Sequence, residues 1–351
     1  MKIFNYSKYK NVTWDNEILG YTSQIHEYKG KLANIEYKNK TKINKLVEIA
    51  KIQSIESSNK IEGIVTTSTR IKQICENKTT PKNRDEKEIL GYRDVLNTIH
   101  ENYEFISINS SYILQLHRDL YKFSEKSIGG KFKNVQNYIS ETRTDGSSFV
   151  RFRPLEPYET PDAIDRLCEE FNIAVSKEYV DPLILIPIFV LDFLCIHPFN
   201  DGNGRMSRLL TLLLLYKQEY SVGKFISIEK IIEETKNRYY DSLQSSSIDW
   251  IDGKNNPTEF IKYMLSVILK AYRDLEERAN ILLEKKSKAL TQVQDIVNTK
   301  IGKFTKSEIV LLCPTLSETT IERCIKELLS KGYIVKHGDR KSTFYTRKNT
   351  K

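Results

Sequence analysis

The chain has 351 residues, enough for two or three domains that each bury a core of their own. Apolar residues make up 39% and charged residues 29%, the balance of a soluble globular protein, and the net charge of +9 suits an anionic partner such as a nucleotide or a nucleic acid. The longest apolar stretch, Pro182 to Ile196, is interrupted by Pro187 and Asp192 and is shorter than the roughly 20 residues of a bilayer span, so no membrane partner is expected. The first residues lack the apolar core of a signal peptide. The five cysteines are widely spaced with no CxxC pair, which reads as reduced thiols in a cytoplasmic protein.

Most of the chain carries helical periodicity, so the expected class is mainly α. Ile43, Leu46, Val47 and Ala50 recur at helical spacing, as do Ile89, Tyr92, Leu96 and Ile99, then Ile113, Leu114, His117 and Leu120. Phe132 to Pro157 departs from this pattern. It is rich in β-formers around Thr144-Asp145-Gly146-Ser147, and Asp-Gly in that setting predicts an inserted β-hairpin. Ile164, Leu167, Phe171 and Ala174 return to helix. Leu183 to Ile196 is apolar nearly all round and should be a central helix buried on every side, with Leu209 to Leu215 a second.

Beyond a charged amphipathic stretch at Ala271 to Lys300, Thr305-Lys306-Ser307-Glu308 is a capping box opening a short helix, and Ser317 can cap the next, which Gly332 ends. Strands are expected at Tyr333 to Lys336 and Ser342 to Tyr345. Together these predict a C-terminal winged helix-turn-helix. The boundaries drawn from this reading are an N-terminal helical region at 1–90, a catalytic core at 91–285 and the winged helix at 286–351.

The segment His197-Pro198-Phe199-Asn200-Asp201-Gly202-Asn203-Gly204-Arg205-Met206-Ser207-Arg208 carries chemistry. Pro198 disfavours helix at His197, so the apolar helix ends there. Gly202 and Gly204 permit positive φ, and a helix starting near Gly204 presents free N–H groups to an anion. Asp201 at that point can ligate Mg²⁺. Arg205 and Arg208 lie three apart on the first turn. Cations there oppose the helix dipole, and a bound phosphate relieves that cost. A Walker A loop is excluded, because Gly130-Lys131 lacks both the upstream glycine and the following Ser or Thr.

This stretch resembles the signature of the Fic family, His-Pro-Phe-x-[Asp/Glu]-Gly-Asn-Gly-Arg-x-x-Arg, at every defined position. The resemblance implies a helical domain with an inserted hairpin, and transfer of a nucleotide monophosphate, usually AMP from Mg-ATP, to a Ser, Thr or Tyr hydroxyl of a protein, this chain included. Carried over by residue, His197 is the base and Asp201 holds Mg²⁺. Gly202, Asn203, Gly204 and Arg205 surround the α- and β-phosphates, and Arg208 holds the γ-phosphate. Upstream, Ser57-Ser58-Asn59-Lys60-Ile61-Glu62-Gly63 resembles the family's inhibitory motif, which implies that Glu62 pairs with Arg208 and keeps ATP in an unproductive pose.

Further resemblances extend the site. Lys131 to Ser140 is similar to the family's flap, which implies that Asn137, Tyr138, Ile139 and Ser140 register a target backbone by β-augmentation. Tyr239 and Tyr240 resemble an adenine-side pair, whereas Ser247 stands where many relatives carry Asn. Two other readings stay open: Glu62 directing water to remove AMP at the same site, and a DNA-binding regulator using Lys326, Lys331, Lys336, Arg340, Lys341, Arg347 and Lys348. The winged helix equally suits a protein or homodimer contact.

Overall fold

The computed structural model describes residues 2–142, 148–283, 289–300, 302–339 and 342–348. In chain order the elements are α1 (Asn16–Ile61), α2 (Ser68–Cys75), α3 (Arg84–Asn102), α4 (Ser110–Leu120), β1 (Ile139–Thr142), β2 (Ser148–Phe152), α5 (Thr160–Ser176), α6 (Pro182–Ile196), α7 (Asn203–Lys217), α8 (Ile228–Glu234), α9 (Lys236–Ser247), α10 (Thr258–Leu283), α11 (Ala289–Thr299), β3 (Lys303–Phe304), α12 (Lys306–Leu312), α13 (Glu318–Ser330), β4 (Ile334–His337) and β5 (Phe344–Arg347). The chain is mainly helical. Among the described residues no helix is long and apolar enough to cross a membrane.

Two compact units result, divided differently from the boundaries read off the sequence. Met1–Gly30 and Ala50–Tyr272 form the first, and Lys31–Ile49 with Arg273–Lys351 the second. The reason is α1. A single continuous helix of 46 residues contributes its middle to one unit and its ends to the other, which no local composition shift announces.

In the first unit α6 is buried from Leu183 through Ile196 and packs against α5 and α7. Its one carboxylate, Asp192, is paid for by three donors: Tyr6 Oη at 2.9 Å, Trp250 Nε1 at 2.6 Å and the Lys2 ammonium at 3.3 Å. The N-terminal residues, silent in sequence, thus plug the core. Strands β1 and β2 pair antiparallel, Ser140 opposite Val150 and Thr142 opposite Ser148. The Asp145-Gly146 turn expected between them lies outside the described residues, as do Arg340 and Lys341.

The second unit has its own core of Val293, Ile296, Val297, Phe304, Ile309, Ile321, Ile325, Leu328 and Ile334. Thr305 and Glu308 form the reciprocal capping box of α12, and Ser317 caps α13 through the Thr320 N–H. The sheet is antiparallel in the order β3-β5-β4. The short strand β3 was not expected from the sequence.

Candidate active site

Between α6 and α7 the chain must reverse within a few residues. His197 caps α6 in the left-handed region, φ 52° and ψ 62°. Gly202 caps α7 at φ 85°, and a Cβ there would crowd the Tyr121 ring. Asn203 braces the loop: its Oδ1 accepts from the Phe199 N–H at 2.9 Å and its Nδ2 donates to the Phe199 carbonyl at 2.8 Å. The first helical bond of α7 runs from the Met206 N–H to the Gly202 carbonyl, so the N–H groups of 203–205 precede the ladder.

Gly204 departs from expectation. It is helical rather than at positive φ, and what it supplies is room: a Cβ would run into the Glu62 carboxylate. Glu62 caps the end of α1, and Gly63 at φ 77° stops that helix. The Glu62 Oε1 accepts from Arg208 Nη2 at 2.8 Å. Ser58 holds the same guanidinium, its hydroxyl accepting from Nε at 2.8 Å and its carbonyl from Nη2 at 2.9 Å. Burial works against the charge of Arg208, but the Glu62 carboxylate more than offsets this and holds its pKa above the ordinary arginine value.

The two arginines do not converge. Arg205 has different partners from Arg208: its Nη2 donates to Glu88 Oε2 and to the Tyr121 hydroxyl, both at 2.8 Å. Arg205 and Glu88 are each 1% exposed. Their spacing of three placed both on one turn, but long side chains diverge toward the nearest buried acceptor. Removing that acceptor strands a buried cation, so Glu88→Ala is expected to cost about 3–5 kcal/mol. Urea unfolding measures it, and a loss below about 1 kcal/mol, the value of a surface pair, would contradict the arrangement.

His197 and His117 have defined tautomers. A carbonyl only accepts, so the 3.3 Å contact from His197 Nδ1 to the Leu194 oxygen puts the proton on Nδ1 and leaves Nε2 with its lone pair. His117 Nδ1 accepts from the Gly130 N–H at 3.1 Å, so its Nε2 carries the proton and donates to the Asp201 carbonyl at 3.1 Å. Its ring stacks on Phe199, with centroids 3.6 Å apart. Desolvation pushes both imidazoles down to about 4, and that of the half-buried His100 to about 3.

A consequence follows for stability. These folded-state values lie below the unfolded value of 6.5, so on acidification the unfolded chain takes up protons that the folded chain refuses. The Tm is expected to fall progressively as pH drops from about 6.5 toward 4, beginning above the carboxylate range. Calorimetry across that window checks it, and a Tm constant down to about pH 5 would refute the histidine burial.

Asp201 sits on the loop with Oδ1 accepting from the Gly202 N–H at 2.7 Å and Oδ2 from Lys126 Nζ at 2.6 Å. Burial tends to raise its pKa, but the Lys126 ammonium keeps it below the usual carboxylate range. A cavity of about 330 Å³ brings together Glu62, His197, Gly204, Arg208, Tyr239, Tyr240 and Ser247, closed by Phe152, Leu194, Cys195, Leu243 and Gln244. The Tyr239 and Tyr240 rings meet edge to face at 5.2 Å. Of the expected flap residues, Asn137 Nδ2 donates to the Phe199 carbonyl at 3.0 Å, Tyr138 is exposed, and Ile139 and Ser140 lie in β1.

Sequence reasoning missed Ser58, Glu88, Tyr121, Lys126 and Lys133, and took His117 only as part of a helix face. Ser58 lies inside the motif quoted for Glu62. Lys133 lies inside the flap segment, and Glu88, Tyr121 and Lys126 come from segments with no local signal.

Residues 107–215 match the Fic/DOC family. The Fic-matching segment spans α4 to α7 and contains the whole loop from His197 to Arg208. Over more of the chain, the protein adenylyltransferase Fic of Drosophila yakuba is 27% identical across 289 residues, 78% of this chain and 51% of its own length. That of Nematostella vectensis is 25% identical across 213 residues, 58% and 45% respectively. The chain spans about half the length of the curated relatives it matches. Among solved structures, a Fic family protein from Desulfovibrio desulfuricans G20 superposes with a TM-score of 0.61 at 17% identity, covering 97% of this chain and 98% of the other. A Fic domain containing signaling protein from Bacteroides thetaiotaomicron gives 0.61 at 21%, covering 75% and 98%. At those identities the likeness speaks to the fold alone.

Proposed function

We propose that this chain is a protein adenylyltransferase that moves AMP from Mg-ATP to a protein hydroxyl and is held back by Glu62. The observation that carries the reading is the convergence in one cavity of a neutral imidazole with a free Nε2, a buried guanidinium already engaged by a carboxylate, and a pair of tyrosines. The match to the Fic/DOC family and the relatives named protein adenylyltransferases support it.

In this reading the apolar and aromatic wall takes the base, and the N–H groups opening α7 take the α- and β-phosphates. Arg208 takes the γ-phosphate, in the place Glu62 holds. His197 Nε2 receives the proton of the attacking hydroxyl while the Leu194 carbonyl keeps the ring oriented. Arg205 is held by Glu88 and Tyr121 through Nη2 alone, its Nε and Nη1 having no partner, and it stands beside the α- and β-phosphates at the first turn of α7. The flap strands offer an edge to the target backbone.

The residues fit a magnesium ion carried in on phosphates. Magnesium takes oxygen ligands and keeps several waters, so one carboxylate with nucleotide and water would complete its shell. Lys126 against Asp201 shows that this point accommodates positive charge. When bound, the ion would neutralise charge on the phosphates, with Asp201 as its protein ligand.

Incubation of the purified chain with ATP labelled in its α-phosphate tests the proposal. Label on protein, retained after denaturation and lost without magnesium, is the expected result. Absence of label from both the unaltered chain and Glu62→Gly would reject it.

A further inference from the structure

His197 is a non-glycine residue at φ 52°, a conformation that persists only where its surroundings over-determine it. The residue that brackets it is Lys133, from the segment before β1. The Lys133 N–H donates to the Pro198 carbonyl at 2.8 Å, one residue after His197. The Lys133 Nζ donates to the Ile196 carbonyl at 3.1 Å, one residue before it. Both bonds hold carbonyls whose directions define the backbone on either side of the imidazole. Nζ also donates to Asn137 Oδ1 at 3.3 Å, and the Asn137 amide donates onward to the Phe199 carbonyl. One short segment therefore grips the loop at 196, 198 and 199.

The cost of this arrangement is unusual for a lysine. Lys133 is 3% exposed, and its ammonium donates to neutral oxygens. A buried ammonium is disfavoured, and burial pulls its pKa down to about 8. A neutral side chain would be easier to bury at a site with only structural work to do. We propose that Lys133 is a positioning residue for His197, holding its left-handed backbone through the carbonyls on either side of it. The inference rests on His197 acting as the base.

The charges facing His197 come from three directions. Lys133 disfavours its protonation, while Glu62 at the end of α1 and Asp201 on the loop favour it, and desolvation outweighs them. Removing Lys133 takes away the one charge that works with desolvation against the two carboxylates, so the imidazole is protonated more readily. The Lys133→Met variant keeps the backbone bond and the apolar stem but loses the ammonium.

In that variant kcat for transfer is expected to fall about 10- to 100-fold, the scale of a misplaced catalytic group, with the Kd for ATP within about twofold. The His197 imidazole, followed by NMR, should titrate at higher pH than in the unaltered protein. The acid limb of the rate profile should move the same way. Lys133→Arg, which keeps a cation and a donor, should recover most of the rate and the low titration. Lys133→Gln supplies the same readings if the methionine variant does not fold. A folded neutral variant with unchanged kcat and an unmoved His197 titration overturns the inference, and so does a loss confined to ATP affinity. The titration needs no turnover, so it still decides the role of Lys133 if the chain and its Glu62→Gly variant transfer nothing.

Discussion

Glu62→Gly is expected to raise AMP transfer about 10- to 100-fold, measured as label on protein per unit time at saturating ATP. The size follows from the bond removed. A hydrogen bond between charged groups is worth about 1.5–3 kcal/mol, and each 1.4 kcal/mol is a factor of ten. Glu62 is tethered 2.8 Å from Arg208, so in the proposed mechanism it competes with the γ-phosphate at a high effective concentration that added ATP does not match. Raising ATP on the unaltered chain should therefore not reproduce the gain.

The guanidinium does not collapse when Glu62 is removed, because the Ser58 hydroxyl and carbonyl still hold Nε and Nη2. It is left aimed at the cavity with its anion missing. Glycine costs about 1 kcal/mol in a helix interior, but position 62 is the C-cap and Gly63 already ends α1. The rate should rise more than the affinity, since what changes is the pose of the phosphates. A folded variant with an unchanged rate would refute the restraint. A lower rate would favour the opposite chemistry, in which Glu62 directs water to remove AMP.

His197→Ala is expected to lower transfer by about 100- to 10,000-fold, the usual cost of losing a general base, while ATP affinity changes only a few-fold. In the proposed mechanism Nε2 acts on the incoming hydroxyl and holds little of the nucleotide. The left-handed backbone demands a second variant. Alanine at φ 52° carries a conformational penalty that histidine shares, whereas asparagine adopts this region more readily and has no basic nitrogen. His197→Asn should therefore lose activity as fully as His197→Ala while unfolding at a temperature close to that of the unaltered protein. Transfer retained by either variant would remove His197 from the chemistry.

The residues that announce the site were legible because they are contiguous. From His197 to Arg208 the order of imidazole, carboxylate, glycines and arginines is a local property, and so is the mainly helical periodicity around it. The capping box at Thr305 and Glu308 and the stop at Gly63 are local for the same reason: the partners lie within one turn of each other. What each side chain then does was decided by the tertiary structure. Gly204 reads as a flexible joint but serves as the gap into which the Glu62 carboxylate fits. Arg205 reads as the twin of Arg208 but is drawn to Glu88, 117 positions away, because a buried guanidinium goes where an acceptor is. Lys2, Tyr6 and Trp250 satisfy Asp192 across the whole first unit, and Lys133 reaches the loop from 63 residues upstream. Such pairings leave no period or spacing in a single chain. They arise when packing brings distant segments together and desolvation favours a partner for each polar group left inside.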